Sequence, residues 1–309
     1  MLLPLLAVPL LLIASGAAVD IINTVIGTGT SGLSGNGGQG TSATIGSVYD
    51  VKVDSTNTYA YISDSTNNQV RRLQISNGII VAYAGTGTAG GSGNNGAATS
   101  ARLWTPRGLA ISTAGVLYIA EAIYNHVRRV AANGIITNFA GQESSSYGGY
   151  SGDGGLATSA TLYSPTYICL DSAQTYLYIS DSLNYLIRRV RLSTNIITTF
   201  AGDGTQSYCP STFSYTFSQS ATSLSLCTPT GLATDGTYLY VVIYASSMVI
   251  RVHIATSVAS YFMGGIGSSS STSWARTSVS LFFPMGATTD SSSNLYVAGT
   301  RFQISPAPS

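Results

Sequence analysis

Short apolar runs separated by clusters of glycine, serine, threonine and asparagine repeat along this chain at a nearly constant interval. The copy between residues 105 and 141 is the clearest: TPRGLAIS (105–112), VLYIAEA (116–122), NHVRRV (125–130) and GIITNFAG (134–141). Each run is six to eight residues long, rich in β-branched or aromatic side chains and bounded by turn formers. Each therefore predicts a strand. Five copies follow this plan. Their second runs end at Asp64, Glu121, Asp181, Ile243 and Gly299, at spacings of 57, 60, 62 and 56 residues. Their fourth runs end at Gly27, Gly85, Gly141, Gly202 and Gly264, at spacings of 58, 56, 61 and 62. Solenoid repeats of this length are mostly helical, so a four-strand unit of this period predicts the blades of a β-propeller, an all-β fold.

The ends bear on how such an array closes. The chain opens on a lone fourth run, IINTVIG (21–27), and its fifth copy stops after three runs, MGATTD, NLYVAG and RFQIS. A propeller removes its free sheet edges by completing one blade from both termini. The expectation is a five-bladed ring closed by the N-terminal strand; because the fifth copy is worn, six blades or a fragment is the alternative. Residues 1–18, MLLPLLAVPLLLIASGAA, read as a secretory signal ending in small residues, shorter than the roughly 20 residues that span a bilayer. The division expected is a signal at 1–18, a propeller at 19–305 and a tail at 306–309, in a secreted or extracellular protein with no membrane span in its mature part.

Composition agrees. Charged residues are 8% of the chain and hydrophobic residues 44%, with 34 glycines among 309 residues, which suits short strands and many turns. The net charge of +1 offers no field to hold nucleic acid. Of three cysteines, Cys209 and Cys227 bracket a Ser/Thr/Tyr-rich insert and can pair in an oxidising compartment, while Cys169 lies in an apolar run as a small hydrophobe.

The runs PRGLAIS, LYIAEA and NHVRRV, with YISDSTNNQVRRL in the first copy and LYISDSLNYLIRRV in the third, resemble the NHL-repeat family. The glycine-rich connectors at 27–45, 85–103 and 150–162 resemble those of secreted NHL arrays, teneurin-like cell-surface proteins included. Copies one to three carry the match. Copies four and five depart from it, with Ile243 and Gly299 at the acidic position.

Several residue sets invite a chemical reading. Gly27, Gly29 and Gly32, repeated as Gly85, Gly87 and Gly90, form GxGxxG, but no helix follows to hold a phosphate, so tight crossings between blades explain them. Asp64, Glu121 and Asp181 precede Arg72, Arg129 and Arg189 by eight residues, and these arginines, or the neighbouring Arg71, Arg128 and Arg188, are expected to form cross-strand ion pairs or turn caps. Asp54, Asp171, Asp235 and Asp290 end first strands before turn sequences, where a carboxylate accepts turn amides; the rival reading is a cation site at the axis. Asp153 and Asp203 are turn-like, with calcium binding the lesser reading. His126 and His253 fall in third strands of different copies, away from an axial metal site. No metal and no cofactor is expected.

The twenty tyrosines divide into a repeated set (Tyr61, Tyr118, Tyr178, Tyr240, Tyr296) that packs between blades and a connector set. Connector aromatics Tyr147, Tyr150, Tyr208, Phe213 and Tyr215 are the candidate ligand contacts, for an extracellular protein or a carbohydrate. The function expected is non-catalytic recognition through propeller loops; the alternative is a metal-assisted lyase or hydrolase working at the axial mouth.

Overall fold

The computed structural model describes residues 11–13, 22–142, 148–205, 218–264, 280–299 and 301–303. The chain divides into two compact units, Met1–Phe139 and Ala140–Ser309. The first holds blades one and two, whose last residue, Ala140, lies at the boundary; the second holds blades three and four and the fifth copy.

Blade one is an antiparallel sheet of Val48–Val53, Tyr59–Asp64, Gln69–Gln74 and Ile80–Ala84 in sequence order. Blade two repeats it with Pro106–Ile111, Leu117–Glu121, His126–Val130 and Ile135–Ala140. Blade three uses Pro165–Leu170, Tyr176–Asp181, Leu186–Arg191 and Ile196–Ala201; blade four uses Pro229–Thr234, Tyr238–Ile243, Met248–His253 and Val258–Gly264. The predicted strands are thus found within a residue or two. In the fifth copy Gly286–Thr289 pairs with Leu295–Ala298, and Arg301–Gln303 pairs with Ser280–Phe282. The strand expected to close the ring, Ile22–Thr24, pairs with Leu11–Ile13, inside the stretch expected to be a signal.

The second strands of blades one to four are apolar on both faces because each is sandwiched; in the fifth copy Tyr296, expected to pack between blades, is instead 56% exposed. In blade one Ala60, Tyr61 and Ile62 are all buried. Tyr61, Val70 and Ala84 of blade one meet Leu109, Leu117, Ile119, Val130 and Ile136 of blade two in one core cluster. In the second unit Tyr240, Val242 and Val249 pack against Ala287, Leu295 and Val297 in the same way. The first strands of blades one to four each bulge near their start: the register shifts between Val48 and Val51, Pro106 and Leu109, Pro165 and Ile168, and Pro229 and Leu232. At the bulge in blade four the chain comes so near the fifth copy that a Cβ on Gly231 would lie 2.8 Å from the Gly286 Cα.

The described parts of the connectors are held by backbone hydrogen bonds. Gly27 N donates to Gly40 O, Gly85 N to Ala98 O, Gly141 N to Ala157 O and Gly202 N to Ala221 O, each at 2.9 Å. The accepting residue opens a 3-10 turn in every case, at Gly40–Ser42, Ala98–Ser100, Ala157–Ser159 and Ala221–Ser223. Just before that turn the connector lies against the fourth strand of the blade that follows. Gln39 bridges to Ile79, Gly96–Ala97 pairs with Ile135–Ile136, Leu156 bridges to Ile196, and Ser218–Ser220 pairs with Val258–Ser260. The outer edge of each blade is thereby covered, which protects it from pairing with another chain. Glycine serves this geometry at Gly85: its φ is +90° and a Cβ there would sit 2.4 Å from the Asn68 carbonyl.

Candidate functional site: buried ion pairs and the connectors they hold

An acid that closes a second strand and an arginine of the third strand form a buried pair in blades one to three. Arg71 Nη1 lies 3.9 Å from Asp64 Oδ2, Arg128 Nη1 3.7 Å from Glu121 Oε1, and Arg188 Nη1 3.5 Å from Asp181 Oδ2, all of them with no exposed side-chain surface. These distances exceed a hydrogen bond, so both partners take their bonds from the connector. Asp64 Oδ1 accepts from Gly46 N at 2.9 Å, Glu121 Oε2 from Trp104 N at 2.7 Å, and Asp181 Oδ1 from Tyr163 N at 2.6 Å. Arg71 donates to the Thr44 and Ser34 carbonyls, Arg128 to Gly91 O, and Arg188 to the Thr161 and Ser151 carbonyls. Asn67 and Asn184 complete the pattern, each bridging its acid to a connector carbonyl, Gly32 O or Gly149 O. The pair is a stitch from the blade to the connector that precedes it.

Of the two alternatives in the sequence, Arg71, Arg128 and Arg188 take the ionic role. The neighbouring arginines point to the other blade face, onto aromatic rings. The Arg72 guanidinium lies 4.3 Å from the Tyr59 ring centre and 5.2 Å from that of Tyr83; Arg189 lies 4.6 Å from Tyr176 and 5.1 Å from Phe200. Arg251 of blade four repeats this over Tyr238 at 4.6 Å. Arg129 is paired in register with Tyr118 and is exposed.

Burial dominates the electrostatics of the stitch. Desolvation raises the Asp181 carboxyl to about 6, against the bonds from Asn184 and Tyr163 N and the charge of Arg188. The Asp64 carboxyl is raised and the Arg71 guanidinium lowered by the same cause. Blade four drops the pair as a unit: Ile243 and Ile250 stand where the acid and the arginine stand elsewhere. Losing both charges together avoids the cost of one orphaned buried charge.

The first-strand aspartates serve their turns. Asp54 Oδ1 accepts from Thr58 N at 2.8 Å, Asp171 Oδ1 from Thr175 N at 2.7 Å, Asp235 Oδ1 from Tyr238 N at 2.7 Å and Asp290 Oδ1 from Asn294 N at 2.8 Å. Ser112 does the same through Val116 N. His126 Nε2 lies 3.2 Å from Glu121 Oε1, buried in blade two, and His253 accepts from Thr256 N in its own turn. Among the described residues no three His, Cys, Asp or Glu side chains converge as a metal site would need.

Of the candidate ligand contacts, Tyr150 is described; Tyr147, Tyr208, Phe213 and Tyr215 lie outside the described residues, as does Cys209. Cys227 is buried at the connector position held by Gly46, Trp104 and Tyr163 in the other blades, and the half-buried Cys169 donates its thiol to Leu170 O at 3.3 Å. Tyr150 is 52% exposed yet held on three sides. Its hydroxyl donates to Asp153 Oδ2 at 3.2 Å and lies 3.1 Å from Thr199 Oγ1, and its ring sits 5.0 Å from the Arg188 guanidinium. Asp153 is in turn fixed by Arg188 Nη2 at 2.6 Å and Thr199 N at 3.0 Å. Although its burial works the other way, those bonds and the Arg188 charge hold the Asp153 carboxyl below its ordinary range. An aspartate so occupied has its oxygens turned to donors of the protein, so the calcium reading of Asp153 loses its ligand. The equivalent connector position is Leu33 before blade one and Gly91 before blade two, where the Tyr124 ring takes the space a side chain would fill.

Sequence reasoning missed a further cluster at the first-strand bulges of the first unit. Asp50 Oδ2 accepts from Leu109 N of blade two at 2.9 Å, Asp50 Oδ1 from Lys52 Nζ at 2.9 Å, and the Arg107 guanidinium lies 4.9 Å from the Tyr49 ring. The lone lysine of the chain was the available signal.

Comparison with known proteins supports the blade reading. Among curated proteins none matches the chain in sequence. Solved structures share the fold. The chain has 15% identity to one in a nidogen/laminin complex, with a TM-score of 0.54, covering 82% of this chain and 72% of that one. For a gluconolactonase, XC5397 from Xanthomonas campestris, the values are 14%, 0.53, 82% and 69%. For an auxiliary nutrient binding protein from Bacteroides thetaiotaomicron they are 12%, 0.56, 82% and 57%, so the chain spans little more than half of that protein. The blades are those of a β-propeller, and over residues 40–148 the chain matches the family model of the teneurin NHL domain.

Proposed function

We propose that this protein is an exported, non-catalytic recognition module that binds an extracellular protein or a glycan through its connectors. One observation carries the reading: Tyr150 is half-exposed and at the same time immobilised by Asp153, Thr199 and Arg188. A rigid exposed aromatic loses little conformational entropy on binding and offers both an apolar face and a polar tip, the profile of an interface anchor. The stitch supports it, because a connector pinned to the blade presents such a ring in a fixed place. Tyr147, Tyr208, Phe213 and Tyr215 are further candidate contacts in this reading, and a Cys209–Cys227 disulfide braces the connector of blade four, which lacks a stitch. The structural neighbours span binding proteins and a gluconolactonase. That breadth keeps a metal-assisted enzyme as the competing outcome.

The test is a screen of the purified secreted protein against glycan and cell-surface protein panels, with Tyr150→Ala beside it and with and without chelator. Binding that falls at least tenfold in Tyr150→Ala, at an unchanged melting temperature and insensitive to chelation, supports the proposal. Lactone or glycoside turnover abolished by chelator overturns it.

A further inference from the structure

The junction between blade four and the fifth copy differs in kind from the equivalent junctions. Ahead of the first strands of blades two to four and of the fifth copy, one residue adopts a left-handed conformation: Thr105 at φ 52°, Ser164 at 52°, Thr228 at 54° and Phe283 at 46°. Each precedes a proline, and three of the four are small hydroxyl residues. The residue just after each second strand follows the same rule, with Ser65, Ala122 and Ser182 small and Tyr244 large. These two positions face each other across blade junctions. Between blades three and four Ser182 donates to Pro229 O beside Thr228; between blade four and the fifth copy the pair is Tyr244 and Phe283, ring centres 5.3 Å apart and inclined at 35°.

The backbone does not require these rings. A bulky side chain at positive φ is strained, and the other blades meet the same conformation with Thr or Ser. Nor does the core require them, since Phe283 is 51% exposed. The ionic stitch is missing from the same blade, with Ile243 next to Tyr244, so the rings stand without the charged pair found in blades one to three. Ser246, in the same turn, is buried with its hydroxyl lacking a hydrogen-bond partner.

We infer that Tyr244 and Phe283 form a carbohydrate-stacking platform, on which the apolar face of a pyranose ring lies. Size decides against a protein partner. A stable protein interface buries about 800 Å² on each side, whereas an aromatic side chain supplies about 150–250 Å² at most when fully covered, and half of Phe283 is already covered. Two inclined rings match one or two sugar units. The inference narrows the recognition reading above to a glycan, at a place independent of Tyr150.

Affinity electrophoresis through gels containing amylose, galactomannan or xylan tests it, using the wild-type protein, Phe283→Thr, Tyr244→Ser and Tyr150→Ala. The first two variants restore residue types that serve the same positions in other blades, and melting curves check each fold. Retardation of wild type by at least one polysaccharide, weakened tenfold or more in both platform variants and unchanged in Tyr150→Ala, is the expected result. Should one platform variant fail to fold, the other decides. Retardation that survives both substitutions, or absent retardation of wild type in all three gels, overturns the platform. Loss in Tyr150→Ala alone would overturn it too while leaving connector recognition standing.

Discussion

At the scale of single residues, the buried arginines set the energetics. Arg71 has no exposed side-chain surface, and its removal leaves Asp64 buried with the Gly46 and Asn67 bonds but without its cation. Breaking a buried pair on one side costs about 3–5 kcal/mol. Arg71→Ala is therefore expected to lower unfolding free energy by that amount in urea titrations; a loss under 1 kcal/mol would mean that the pair is solvated. Asp181 makes a pH prediction. Its carboxyl titrates at about 6 in the folded protein against an ordinary 3.8. The folded state therefore binds this proton more tightly. Stability from this group is fully present below about pH 4 and is lost as pH rises through about 6, on the order of 3 kcal/mol. Asp181→Asn, which leaves Arg188 its bond to Asp153, is expected to remove that component of the pH dependence. Parallel stability profiles of variant and wild type from pH 4 to 7 would refute it.

At the scale of elements, strands were legible and connectors were not. The runs at 105–112, 116–122, 125–130 and 134–141 enclose the four strands of blade two because pattern and β-propensity agree there. The connectors read as irregular because glycine and serine carry no periodic signal; their edge pairing and 3-10 turns arise from backbone bonds to residues far along the chain. The choice between Arg71 and Arg72 was equally hidden, since adjacent strand residues face opposite sides and sequence does not say which side is covered. That Tyr150 is a connector aromatic was plain in the sequence, but its fixing by Arg188 and Asp153 depends on contacts 35 or more residues away. The bulges make their own prediction. A Cβ on Gly231 would meet backbone of the fifth copy, which has no side chain to move aside. Gly231→Ala should cost about 1–3 kcal/mol by overpacking, seen as a lowered thermal midpoint, while Gly37→Ala, in open space at positive φ, should cost less.

For the whole molecule, scaffold and surface are separate: the buried ion pairs of blades one to three hold connectors in place, and recognition falls to the aromatics those connectors and junctions present. The exchange already made in blade four supplies the most direct test, because Ile243 and Ile250 show that an apolar pair fits this blade position. The measurement is the melting temperature and ligand binding of Asp64→Ile combined with Arg71→Ile. Replacing a buried ion pair by hydrophobes of similar size is often neutral or stabilising. In a chain of this size 1 kcal/mol moves the midpoint by roughly 2–4 °C. The account predicts a double variant that melts within a few degrees of wild type, well above Arg71→Ala, and binds every ligand found for the wild type. A double variant that folds as wild type but has lost its ligand would contradict the account, since the buried pair would then be part of the site.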